Sequence, residues 1–455
     1  MRVRLVSSAS IVTALLVSAS AALLVACGDD TIEAPAAAGP DASIGPDGGG
    51  FENAALDGDT SADSTLDGGD GARPPPARLL LTASTPGQGE LAVFGLGSRS
   101  VEGRLDFSGV GTTTITGSSP WLLEPSSDRV ARLDPLQPWL ARSTWNVALG
   151  DAPDGGDAGF ASPSSDPVAI VVGAGTNAYV LRYGRNLVAV IDTSQDVDAG
   201  PPSTSIDLSS QVQAGGDGFV EMTAGYFDPQ SGRLYVLLGN VDREGAASAG
   251  GARPCTPTHP AVIAIDTATD TVVSPGGDGG GAPVGYALSG YDPPVGPSPM
   301  VYDPANNRLL VIERGCTLPA DGGAGVITRR GVEAVSLADG TVTLLLDLSS
   351  EAEPHALFYL DPHHVVLQLG AATLWDPSST ALGPAIAGAP SAFDIDGQGD
   401  LVGVRPELAL DGGVAGWSVV SVSVGDGGAT VLGQSPFSLA GGVPAVTGAR
   451  LWPPP

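Results

Sequence analysis

Two pairs of stretches decide the fold: LVAVIDTS (187–194) with AVIAIDTA (261–268), and FDPQSGRLYV (227–236) with YDPANNRLLV (302–311). Each unit reads as a strand, a turn opened by Asp-Pro, a second strand, a loop, and a third strand ending in an acid. The turn has a mechanism. Asp caps its own backbone, Pro fixes φ, and Gly or Asn accepts positive φ. Weaker copies extend the series, with third strands centred on Val93, Ala131, Val190, Ala264, Val335, Leu374 and Val420.

Those centres lie roughly 40–75 residues apart, near or above the ~40–50 of four-stranded propeller blades. The longer spacings hold insertions at 245–260 and 276–297. Residues 444–452 read as one more strand, and no innermost strand precedes Leu79 in the first unit. The reading is therefore all-β: a seven-bladed β-propeller of four-stranded blades over 78–455, its ring closed by the C-terminal strand. That closure leaves no open edge.

Composition agrees. Gly (65) and Pro (39) together make about 23% of 455 residues, where roughly 12% is usual. Both are costly inside helices, which argues against long ones. Acids outnumber bases 50 to 20, and every base is Arg. The absence of Lys excludes Schiff-base chemistry and a P-loop lysine. The net charge of −30 argues against nucleic acid as a partner.

The N-terminus reads as an export signal. Arg2 and Arg4 precede an apolar stretch over 5–26, and the run Leu24, Val25, Ala26, Cys27 resembles the lipobox of bacterial lipoproteins. The resemblance implies a signal peptide at 1–26, cleavage before Cys27, and lipid on its thiol and new amino group. It implies anchoring in the bacterial cell envelope, with Gly28 directing the chain to the outer membrane. An uncleaved anchor is the alternative, though interleaved Ser and Thr and small residues before the cysteine fit a processed leader. Residues 27–77 follow as the lipidated cysteine and a tether. Eleven acids and one base over 28–76 leave too little apolar surface to offset ordering entropy, so disorder is expected. Its DGGD-like runs lack the regular period of calcium repeats.

Asp166–Ser194 carries a family resemblance. Tyr179, Val180, Gly184, Asn186, Val188, Val190, Ile191 and Asp192 are similar to the YVTN-type β-propeller repeat, with Leu181 and Arg182 replacing its Thr-Asn pair. The resemblance implies seven blades and no single activity.

Most chemical motifs dissolve on inspection. Gly173, Gly175 and Ala178 with Asp192 mimic a dinucleotide fingerprint, but a strand and a turn follow where a helix is required. Cys255 and Cys316 fall between the second and third strands of consecutive units, on one face, which predicts a disulfide in an oxidising envelope. A metal site with His259, or two free thiols, are the alternatives. His355, His363 and His364 share one blade, and Asp394, Asp396 and Asp400 form DIDGQGD, similar to a calcium loop but lacking its distal Glu. Neither a catalytic motif nor a cofactor is implied. The expected function is a monomeric envelope-anchored scaffold offering propeller loops to a protein or glycan, and no enzyme. The competing reading is a lactonase-like hydrolase using Arg182, Glu221, Glu313 and Arg314 at the channel mouth.

Overall fold

The computed structural model describes residues 77–454, apart from 86, 150–163, 243–252, 274–284, 297, 321–322, 410–413, 426–427 and 440–444. Cys27, the leader and the tether lie outside the described residues, as do parts of both insertions. The described chain folds into seven small antiparallel sheets, the blades of a propeller. Blade 1 runs outward as Ala445–Trp452, Arg78–Thr85, Gln88–Gly95 and Ser100–Ser108. Blade 2 is Thr112–Thr116, Ser119–Glu124, Arg129–Leu133 and Ala141–Asn146; blade 3 is Pro167–Val172, Asn177–Arg182, Leu187–Asp192 and Thr204–Asp207. Blade 4 is Met222–Asp228, Arg233–Leu238, Ala261–Asp266 and Thr271–Val273; blade 5 is Met300–Asp303, Arg308–Ala320, Gly323–Ser336 and Val342–Asp347. Blade 6 is Ala356–Asp361, His364–Leu369 and Ala371–Trp375; blade 7 is Ala392–Ile395, Leu401–Leu408, Val414–Gly425 and Gly428–Phe437. All seven sequence-derived centres fall on strands third from the axis.

Blade 6 departs from the four-strand rule. Its fourth strand is reduced to a single bridge, Thr373 to Ala385. The segment there carries Gly383 and Pro384, and Pro cannot donate to a ladder.

A continuous apolar run suits every middle strand because a blade is packed on both sides. In LYVLL (234–238), Leu234, Val236 and Leu238 bury against blade 3, whereas Tyr235 and Leu237 bury against blade 5. The two-residue period of a strand thus splits one run between two interfaces. Each of the seven blade interfaces has its own apolar cluster.

Closure uses the C-terminal strand. Leu79 pairs with Leu451 and Leu81 with Ala449. The Trp452 indole donates to Pro135 O of blade 2 at 2.7 Å, and Leu451 N donates to Asp394 Oδ2 of blade 7 at 3.0 Å. Among the described residues, no helix is long and apolar enough to cross a membrane.

Candidate functional site

The ring has two unlike ends. The connections between second and third strands, and those between blades, emerge at one end, the loop face. The first hairpin turns of the blades emerge at the other, the turn face.

On the loop face, blade 5 does not turn where its repeat predicts. Its second and third strands continue outward as a hairpin, so Cys316 sits within strand Arg308–Ala320 and not in a loop, a correction to the sequence reading. The reason is register: pairing persists from Arg308↔Ser336 to Ala320↔Gly323. Cys255 lies in the blade 4 connection. There Arg253–Pro254 pairs in parallel with the hairpin, and a disulfide joins Cys255 to Cys316 with Cα atoms 4.9 Å apart. The bridge replaces the alternatives of free thiols or a metal site, and His259 turns instead to Arg329. Beyond the bridge, Leu318 and Val326 face each other across the strands, 48% and 60% exposed.

Of the four residues of the hydrolase reading, period two divides Glu313 from Arg314. Val311 packs toward blade 4 and Ile312 toward blade 6, so Glu313 and Arg314 point to opposite sides. Arg314 donates to Asp292 Oδ1 at 2.9 Å and lies 3.6 Å from Glu353 Oε1. Arg182, fully buried, donates to the carbonyls of Leu187 and Val147, each at 2.7 Å. Glu221 accepts from Val241 N at 2.9 Å. These charges hold connections in place.

Glu313 is different. It is fully buried, and neither carboxylate oxygen has a hydrogen-bond partner among the described residues. Burial, reinforced by the nearby Glu333 and opposed by Arg329, pushes its carboxyl well above the usual range. Glu333 sits one diagonal step away on the next strand and accepts from Ser289 N and Oγ. Gly290 makes room, since a Cβ there would lie 2.2 Å from the Glu313 carboxyl carbon. Arg329 closes the cluster by donating to the carbonyls of Thr256, Thr258, Ser289 and Gly290. It also reaches His259 Nδ1 at 2.8 Å, so that nitrogen accepts, because a guanidinium only donates. Arg329 holds φ at +57° and Glu221 at +43°, left-handed values that surrounding contacts must stabilise.

The turn face holds a cavity of about 710 Å³ between the inner strands and first hairpins of blades 5, 6 and 7. His364, Asp361, Asp394 and Asp396 line it. His364 Nδ1 lies 2.8 Å from Asp361 Oδ2, and His363 is exposed on the turn. His355 is at the far end of strand Ala356–Asp361, roughly 20 Å away at 3.3 Å per residue, so the histidines do not converge. The DIDGQGD acids act as turn formers. Asp396 Oδ1 accepts from the amides of Gln398 and Asp400, at 2.8 and 3.0 Å, while Asp394 caps its own turn and the closing strand.

Sequence reasoning missed Glu333, Arg329, Ser289 and Asp292. They carry no local motif, and their partners are 22 to 73 residues away.

No known protein family matches the chain, and no curated protein matches it. Solved structures do. A Kuenenia stuttgartiensis hydrazine synthase structure is 17% identical, covering 75% of this chain and 89% of that one, with a TM-score of 0.45. The periplasmic gluconolactonase PpgL of Pseudomonas aeruginosa is 12% identical, covering 83% and 99%, with a TM-score of 0.44. Apo AztD from Citrobacter koseri is 10% identical, covering 82% and 97%, with a TM-score of 0.42.

Proposed function

We propose that this chain is a lipid-anchored bacterial envelope protein whose propeller docks a protein partner on its loop face. Lipid on Cys27 holds it at the outer membrane, and the acidic segment 28–76 spaces the ring from the bilayer. The observation that carries the docking reading is the stapled hairpin with its exposed Leu318–Val326 pair. An apolar pair on a rigid arm is a surface that partners bury. On the same face, buried Arg182 and Glu221 are tied to backbone carbonyls and an amide, as a scaffold needs them. A hydrolase would need polar groups gathered at one open point, and Glu313 and Arg314 point to opposite sides of their strand.

The test has two parts. Cys27→Ser should abolish incorporation of labelled palmitate and release the chain from membranes; equal labelling would reject the anchor. Leu318→Asp with Val326→Asp should leave Tm unchanged and cut retention of the purified chain on envelope fractions at least fivefold. Unchanged retention, or hydrolysis of a sugar lactone by the unaltered chain, would reject the docking reading.

A further inference from the structure

We infer that the turn-face cavity binds a small organic cation with an apolar or aromatic body. The cavity measures about 710 Å³, inside the range of roughly 300–1,000 Å³ typical of small-ligand sites. It wedges between three blades, where sheet twist opens the inner strands. Two chemistries share its wall. Half-buried Tyr359 supplies aromatic surface beside Tyr302 and Phe358, whose rings already pack on Tyr226 and Phe393, and an ammonium is attracted to ring faces. Asp361, Asp394 and Asp396 supply three carboxylates, and among the described residues no Arg lines the cavity. The remaining ionisable liner, His364, is already paired with Asp361. A ligand anion would therefore meet lining carboxylates with the nearby Arg308 already paired to Asp303, inside a chain of net charge −30.

The acids are positioned for a diffuse charge. Among the described residues, no three His, Cys, Asp or Glu side chains are gathered closely enough to hold a metal ion. Asp396 is the best placed. Its Oδ1 is committed to the turn, but Oδ2 has no hydrogen-bond partner among the described residues. Tyr359 stays a neutral phenol, since burial and the adjacent Asp303 push its pKa up to about 12. The apolar body of the ligand would rest on Leu374 and Val424. This site is at the opposite end from the stapled hairpin, so it stands or falls independently of partner docking.

Three near-isosteric probes separate charge from shape: tyramine (cation), tyrosol (neutral) and 4-hydroxyphenylacetate (anion). Calorimetric titration of the full chain should give a tyramine Kd at least tenfold below that of tyrosol, with no detectable binding of the anion. Asp396→Asn keeps the Oδ1 acceptor and removes the charge, so it should weaken tyramine at least fivefold and leave tyrosol unchanged. Should that variant fail to fold, Gln398→Arg places a competing cation at an exposed rim position and carries the same expectation. Absence of tyramine binding, equal Kd values for tyramine and tyrosol, or unchanged tyramine binding in a folded variant would overturn the assignment.

Discussion

Glu313 is the residue whose chemistry is least at ease with its place. A carboxyl with no partner, packed against Gly290 and near Glu333, is stable only when protonated. Folding therefore raises its pKa above the ordinary 4.5. The stability this group contributes is full below pH 4.5 and is lost as pH rises toward the raised folded value. Glu313→Gln is neutral at every pH and escapes the cost of keeping this site protonated, so it should raise Tm at pH 8. The gain in Tm over the native chain should shrink from pH 8 to pH 5. Thermal melts at both values test it; a loss of Tm at pH 8 would mean that an ionised Glu313 is doing structural work. The sequence reading named Glu313 only among the polar residues that a channel-mouth site would need. Its surroundings come from Ser289, Gly290 and Glu333, and only the three-dimensional pairing brings those together.

The hairpin of blade 5 is the element that the sequence half revealed. YDPANNRLLV announced the first turn and the second strand, because Asp, Pro and Asn each have a local role there. The outward continuation had no such signal. CTLPADGGAGVIT (316–328) reads as a Gly-rich loop, yet its backbone pairs across the arm. Likewise, the repeat gave blade 6 four strands although Gly383 and Pro384 stand where its fourth would pair. The disulfide was legible from two cysteines at matching positions in consecutive units, and it decides how firmly the arm is held. It closes a separation of 61 residues, which the chain-entropy model values at about 4 kcal/mol. The remaining ties to blade 4 are a two-residue pairing and the hydrogen bonds of Arg329, at the base of the arm, to Thr256, Thr258 and His259. Cys255→Ser with Cys316→Ser should therefore loosen the arm and spare the ring. Hydrogen exchange should rise at least tenfold over 314–328 while amides of Leu187–Asp192 stay protected. Uniform loss of protection across both would show that the bridge supports the whole propeller.

At the scale of the whole molecule, closure is the property on which the seven blades depend. Each blade buries both faces against neighbours, so an open ring exposes two of them. The closing strand Ala445–Trp452 contributes to two of these interfaces. Leu451 and Ala449 belong to the interface of blades 7 and 1, and Trp452 to that of blades 1 and 2. Burying each large apolar side chain is worth about 1.5–3 kcal/mol, before the ladder to Arg78–Thr85 is considered. Deleting residues 445–455 should leave Leu79, Leu80 and Leu81 on a strand with one edge unpaired, a template for association with another chain. The expected outcome is a fall in Tm of more than 10 °C, with soluble oligomers in size-exclusion chromatography with light scattering. A synthetic peptide of residues 445–455, added in excess, should restore the monomer and much of the lost Tm. It would reoccupy the gap between Arg78–Thr85 and Asp394, whose carboxylate would again receive the Leu451 amide. A truncated chain that stays monomeric at native Tm would show that the inter-blade clusters close the ring without this strand.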